Sequence, residues 1–297
     1  MIIDAHNHPD WHGHDLNRFL ANMDQYGIDK TWLLSWESPS TEFDPSYNRV
    51  LPNAADPDGP IPFSRLLSYK ERAPERFVLG YAPDPRRPEA IDLLEAAVRV
   101  HGVRTCGEIK LRMMYDNRDA IRMYRKCAEL KLPVTVHIDY EFDRDVRYPR
   151  SNYWYGGGIE AFERAVAECG DTIFIGHAPG FWAHISGDYD GTTKAYPDGP
   201  VAPGGKVIEM FRTYPNLYAD LSAGSGFGAL NRDHALTVDF LTEFHDRILF
   251  GRDYFDGRMQ DLLNSLDLAE EVRTRIFSEN AARLEREAEE AASKLDW

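Results

Sequence analysis

His6 and His8 are separated by one residue and follow the apolar pair Ile2-Ile3. The stretch 1–8 reads as a buried strand. Side chains alternate across a strand, so the two imidazoles would share one face, about 7 Å apart along the chain. Such a pair at a strand end can hold a divalent cation. A lone His-x-His also arises by chance, so its meaning depends on whether other elements send ligands to the same place.

Those elements alternate from end to end. Further strands read at 31–36, 77–81, 106–111, 133–139, 173–177, 217–221 and 248–253. Helical patterns read at 14–26, 63–73, 117–130, 158–168, 205–213 and 234–245, with a helical tail from 258. Another helix opens at Pro88, with Ile91, Leu94, Ala97 and Val98 on one face. A polar, Pro-rich stretch from 37 to about 62 reads as a functional loop or a lid, 140–157 is rich in Arg, Tyr and Trp, and 178–203 reads as another long loop. Eight strand–helix units predict a (β/α)8 TIM barrel in one domain, 1–297, with a charged C-terminal helix from about 283. An open doubly wound sheet would carry a glycine-rich phosphate turn where this chain has His6-Asn7-His8-Pro9.

In such a barrel the active site lies at the C-terminal ends of the strands. Polar residues fall there: His6 and His8, then Glu108, His137, His177 and Asp253. In the fifth strand, alternation puts Val134, Val136 and Ile138 outside and Thr135, His137 and Asp139 inside. In the fourth it puts Ile109 and Leu111 outside and Cys106, Glu108 and Lys110 inside. In the eighth, Ile248 and Phe250 would face out, and Gly251 and Asp253 in. One histidine at a strand end is more often structural, so the inference rests on the whole set.

Formal net charge is −15, which disfavours a nucleic-acid partner. No apolar run approaches the ~18 residues of a membrane span. The cysteines, Cys106, Cys127 and Cys169, are too few and too scattered for a disulfide framework or a thiolate zinc site. With no signal-peptide pattern at the start, a cytoplasmic protein is expected. The expected partner is a small-molecule substrate, and a homo-oligomer is compatible with the sequence.

Histidine and carboxylate ligands suit zinc first, with manganese or iron(II) as alternatives. A divalent ion lowers the pKa of its water from ~15.7 toward ~7 and polarises a carbonyl. Asp253 is placed to take and return a proton. His177, if free of metal, could stabilise an oxyanion. Lys110, Arg147, Arg150 and Arg252 are cationic candidates for holding a substrate anion. Trp11, Trp36, Tyr153, Trp154, Tyr155, Phe181 and Trp182 follow strand ends and would gather at the barrel mouth, where an aromatic substrate could bind.

The set His6-x-His8, His137, Gly176-His177 and Gly251-Arg252-Asp253 resembles the amidohydrolase superfamily of metal-dependent barrel hydrolases. Asn216-Leu217-Tyr218-Ala219-Asp220-Leu221-Ser222 and Glu279-Asn280-Ala281-Ala282-Arg283-Leu284 are similar to its amidohydrolase-2 branch. The resemblance implies that His6, His8, His137 and Asp253 meet a metal and that Asp253 is the acid/base residue. Two departures matter. Arg252 stands where that branch usually has a small or hydroxyl residue. Glu108 is similar to the strand-four glutamate ligand of TatD-like nucleases, whereas many superfamily members use a carboxylated lysine on that strand, for which Lys110 is the candidate. One arrangement holds a single ion on His6, His8, His137 and Asp253, with Glu108 in or beside that shell and His177 free. The other holds two ions, bridged by Glu108, with His137 and His177 on the second.

The leading expectation is hydrolysis of a small amide, lactone or ester. The runner-up is a lyase, since the branch also contains non-oxidative decarboxylases of aromatic and related acids. A nuclease is disfavoured by charge, and a purely structural metal site would be coordinatively closed.

Overall fold

A computed structural model describes residues 1–39, 41–42, 47, 50–51, 59–139, 155–189 and 196–295. Eight short parallel strands form its centre: β1 (Ile3–Asn7), β2 (Lys30–Leu34), β3 (Phe77–Gly80), β4 (Cys106–Ile109), β5 (Val134–His137), β6 (Phe174–His177), β7 (Leu217–Asp220) and β8 (Ile248–Leu249). They pair in sequence order as β1-β2-β3 and β4-β5-β6-β7-β8. Backbone bonds join the two runs at both seams. Tyr81 N donates to Thr105 O (3.0 Å) and Arg104 N to Leu79 O (2.9 Å), linking β3 to β4. Ala5 N donates to Phe250 O and Asp253 N to His6 O, both at 2.8 Å, linking the end of β8 back to β1. The expected TIM barrel is the observed fold.

Strands buried on both faces need two cores. The outer core lies between strands and helices; Val134, Val136, Ile138, Ile248 and Phe250 face it, as alternation predicts. The inner core holds Ile3, Ala5, Trp32, Leu34, Ile175, Tyr218 and Leu249, joined by Ala281 and Leu284 of α12. The helices are α1 (Leu16–Gln25), α2 (Phe63–Arg72), α3 (Ala90–His101), α4 (Arg118–Glu129), α5 (Gly158–Glu168), α6 (Pro179–Trp182), α7 (Lys206–Thr213), α8 (Ala223–Asn231), α9 (His234–Glu243), α10 (Arg258–Ser265), α11 (Glu270–Thr274) and α12 (Asn280–Ala292). α12 lies across the starts of the strands, where Lys30 and Arg104 reach Glu285 and Glu289 at 3.7 Å each.

Two asparagines in the sequence motifs are structural. Asn216 Nδ2 donates toward the carbonyls of Val166, Cys169 and Thr172 (3.0–3.1 Å). Asn280 Nδ2 ties α12 to the carbonyls of His245 (2.7 Å) and Ile248 (2.8 Å).

Strict alternation fails at two places. In β1, Ile3 and Ala5 face the inner core, which would carry Asn7 inward rather than His6. The register against β2 shifts between Asp4 and Asn7, and this resets the faces so that both histidines reach the site. In β4 the register also shifts between Cys106 and Ile109. Cys106 therefore faces the outer core, against Cys127 of α4, and not the interior as expected. The last strand is shorter than expected: regular pairing ends at Leu249, and Asp253 takes a left-handed conformation (φ 52°). The stretch 178–203, read as loop, begins with α6, and α8 was not anticipated.

Candidate metal centre

Each strand end delivers its side chain in a fixed chemical state. His8 Nδ1 lies 2.8 Å from the Leu34 carbonyl, which can only accept, so Nδ1 carries the proton and Nε2 is bare. His6 Nδ1 and His177 Nδ1 lie 3.0 and 3.1 Å from the two oxygens of Asp220, at the end of β7. Both therefore donate to Asp220 and present bare Nε2 atoms. Ser222 adds its backbone N–H (3.1 Å) and its hydroxyl to Asp220 Oδ1.

The bare nitrogens converge with two carboxylates. His8 Nε2 is 3.3 Å from Glu108 Oε2 and 3.6 Å from Asp253 Oδ1. His177 Nε2 is 3.6 Å from Glu108 Oε1 and 3.9 Å from Asp253 Oδ2. Donor atoms of His6, His8 and Asp253 all lie within 4.8 Å of one another, as do those of His6, Glu108 and His177. Among the described residues, His6 Nε2 and Asp253 Oδ1 are buried without a hydrogen-bond partner. Two orphaned acceptors facing one another would be costly without a cation between them, so the donor set fits a divalent metal. His137 joins indirectly, through Nδ1 on Glu108 Oε1 at 2.7 Å.

The electrostatics agree. Burial would raise the Glu108 carboxyl, but the neighbouring His137, through its Nδ1 hydrogen bond, and the Lys110 ammonium hold it well below its usual range. Asp220 is likewise held far down, against burial, by His177 and His6. Burial and Lys110 outweigh Glu108 at His137 and push it down to about 3, so this imidazole is neutral. At His6 and His8 burial is overcome by the surrounding carboxylates, which raise both. The cluster draws positive charge.

A cavity of about 280 Å³ opens onto this centre, bordered among others by Trp11, Lys110, His137, His177, Asp253 and Tyr254. Lys110 is 4% exposed. Its Nζ donates to Tyr47 OH (2.6 Å) and sits 4.5, 4.4 and 5.8 Å from the ring centroids of Trp36, Tyr47 and Tyr155. Among the described residues no carboxylate lies within 4.0 Å of it, so Glu108 and Lys110 are not an ion pair.

The structure thus brings together His6, His8, Glu108, His177 and Asp253, with His137 and Lys110 on the rim. Arg252 is elsewhere: it is 4% exposed, and its Nε donates to Asp4 Oδ2 at 2.8 Å, so it does not face the cavity as a substrate-binding group. Arg147, Arg150, Tyr153 and Trp154 lie outside the described residues. Phe181 and Trp182 do not line the cavity but pack in the outer core, with Trp182 Nε1 on Asp220 O (3.1 Å). Asp220 is the site residue that sequence reasoning passed over. Its signal was the same as that of the others, a carboxylate closing a strand.

The amidohydrolase family model matches residues 3–284. The chain belongs to the amidohydrolase family. That places it among metal-dependent enzymes. No curated protein matches the sequence. Solved structures similar to this amidohydrolase include an uncharacterised TIM-barrel protein from Bordetella bronchiseptica, 16% identical, with TM-score 0.65 and coverage of 97% of this chain and 99% of that one. A dihydroxybenzoic acid decarboxylase from Polaromonas sp., with bound manganese and the inhibitor 2-nitroresorcinol, is 18% identical, with TM-score 0.59 and 96% of each chain covered. A probable 2-pyrone-4,6-dicarboxylic acid hydrolase from Acinetobacter baumannii, with citric acid bound, is 11% identical, with TM-score 0.57 and 96% and 99% covered. At these identities the likeness establishes the barrel fold. No helix among the described residues is long and apolar enough to cross a membrane.

Proposed function

We propose that this amidohydrolase cleaves an amide, lactone or ester bond in a small, carboxylate-bearing molecule. The reading rests on one observation: the bare His6 Nε2 and the partnerless Asp253 Oδ1 beside a cavity of small-molecule size. His6, His8 and Asp253 would hold the ion, with Glu108 and His177 completing the same cluster. When bound, a divalent ion there would activate water near neutral pH and polarise the scissile carbonyl.

Asp253 turns Oδ1 toward His8 and Oδ2 toward His177, and its side chain is 13% exposed at the cavity, so it can take the proton of the attacking water and deliver it to the leaving group. His177 donates through Nδ1 to Asp220, which leaves Nε2 facing Glu108 and Asp253 as a lone-pair donor rather than as a donor to an oxyanion. We therefore assign it to the metal-holding set rather than to the oxyanion role. Lys110 is the group for a substrate carboxylate: a buried ammonium, caged by aromatic rings and without a carboxylate partner among the described residues, is stabilised by an incoming anion. Trp11 and Tyr254 offer flat surfaces to a ring.

A second reading, non-oxidative decarboxylation of an aromatic acid, is favoured by the aromatic walls around Lys110. Here Asp253 would deliver its proton to carbon. The two acids named among the similar structures, dihydroxybenzoate and pyrone dicarboxylate, share a flat carboxylated ring and guide the choice of substrates. The test is a panel of carboxylated lactones, amides and esters beside hydroxylated aromatic acids, assayed with metal-loaded protein. Acid release without carbon dioxide supports hydrolysis. Carbon dioxide release supports the second reading, and loss of neither group from any member, by a protein that binds metal, contradicts both.

A further inference from the structure

Arg252 and Asp4 form a buried ion pair that the reaction does not use. Asp4 is 0% and Arg252 4% exposed. Asp4 Oδ1 accepts from the backbone N–H groups of Arg252 (2.9 Å) and His6 (3.3 Å). Asp4 Oδ2 accepts from Arg252 Nε (2.8 Å) and Asn7 Nδ2 (3.2 Å). Asn7 also donates to Tyr254 O (2.9 Å) and accepts from His8 N–H (2.9 Å). On the other side Arg252 Nη1 donates to Asn22 Oδ1 (2.8 Å), and Asn22 Nδ2 donates to Phe255 O (2.7 Å). Every backbone segment that carries a candidate ligand from β1 or from the turn after β8 is pinned, directly or through one asparagine, to this pair.

We infer that the Asp4–Arg252 pair is a positioning element that sets the spacing between the His6/His8 ligands and Asp253, and so the affinity for the ion. The inference rests on the metal-dependent reading above. The two ligand groups lie on chain ends about 250 residues apart, and β8 contributes only Ile248–Leu249 to regular pairing. Beyond Leu249 the turn that bears Asp253 is held to β1 by single backbone bonds, Ala5 N–H to Phe250 O and Asp253 N–H to His6 O, and the Asp4–Arg252 pair adds a side-chain tie to them. The guanidinium is suited to the task because its planar fork engages Asp4 and Asn22 at once, which a lysine ammonium on a flexible stem does not reproduce. Groups outside the coordination shell that fix ligand orientation are typically worth about 10–100-fold in metal affinity.

The test measures Zn²⁺ affinity of the metal-free full chain by competition with a chromophoric chelator, alongside urea unfolding of the same protein. Arg252→Lys keeps the charge beside Asp4 but loses the fork. Its Kd for Zn²⁺ should rise about 10–100-fold, and the visible spectrum of its Co²⁺ form should change. Arg247→Lys is the control, because Arg247 bonds the carbonyls of Phe211 and Tyr214 just before β8, away from the cluster. It should lose stability and keep its Kd. If Arg252→Lys does not fold, the neutral pair Asp4→Asn with Arg252→Gln replaces it, with the same expectation. A folded Arg252→Lys, or the neutral double variant, with Kd within about twofold of the parent and an unchanged Co²⁺ spectrum would overturn the inference. A parent protein that binds no Zn²⁺ would instead overturn the metal-dependent reading.

Discussion

Asp220→Asn separates a ligand-orienting carboxylate from a generic buried one. The parent carboxylate accepts from two imidazoles, His6 at Oδ2 and His177 at Oδ1. An asparagine offers one acceptor oxygen and one donor NH2. The Oδ1 side faces three donors, His177 Nδ1 and the Ser222 N–H and hydroxyl, so the amide oxygen should settle there. The NH2 then faces His6 Nδ1, and donor meets donor. His6 must move its proton to Nε2, the atom that otherwise has only the cluster to face. It is lost as a ligand. The cost should lie at the upper end of the range for such partners, about 100-fold in metal affinity, or ~2.7 kcal/mol. The assay is Zn²⁺ competition on metal-free protein, with nitrogen NMR of the imidazoles to read the tautomers. His6→Ala should weaken binding by a similar factor, and combining the two should add little, because both remove the same ligand. A Kd within about threefold of the parent, or full additivity with His6→Ala, would refute the reasoning.

Asp253→Asn should fold normally and lose at least about 100-fold in kcat, from the proton-transfer role alone, with a smaller loss of metal; steady-state kinetics on the identified substrate and metal analysis check both. Lys110→Met removes the caged ammonium while keeping the stem, so KM for a carboxylate substrate should rise about tenfold or more, whereas the uncharged amide analogue should bind equally well to both proteins. Gly180→Ala should destabilise the fold by roughly 1–3 kcal/mol in urea unfolding, because a Cβ there would run into the Asp139 carbonyl oxygen.

The barrel and most of the candidate site were legible because the same signal repeats: a short apolar run, then a polar residue at its end. Glu108, His137, His177 and Asp253 were found that way, and Asp220 could have been. What alternation could not supply was the pair of register shifts. The one in β1 turns His6 inward after Ala5, and the one in β4 turns Cys106 outward. Such irregularities depend on neighbouring strands, not on local pattern. Helix α8 was missed because Ala223-Gly224-Ser225-Gly226-Phe227-Gly228 has poor intrinsic helicity, each glycine costing about 1 kcal/mol against alanine. One of those glycines has a packing reason, since a Cβ on Gly226 would lie 2.5 Å from the Leu221 carbonyl oxygen. Arg252 was read as a substrate group because sequence shows its charge but not Asp4, its partner 248 positions away. The tautomers of His6, His8 and His177, which leave their Nε2 atoms facing the cluster, were invisible for the same reason.

The central claim is that the cluster at the strand ends binds a catalytic divalent ion. Metal analysis of the purified chain, followed by titration of the chelated protein, tests it most directly. The purified chain should hold at least one tightly bound divalent ion, with its Kd raised about 100-fold in His6→Ala and His8→Ala while both variants remain folded. A parent protein that takes up no ion, or one whose His6→Ala variant binds it equally well, would contradict the account.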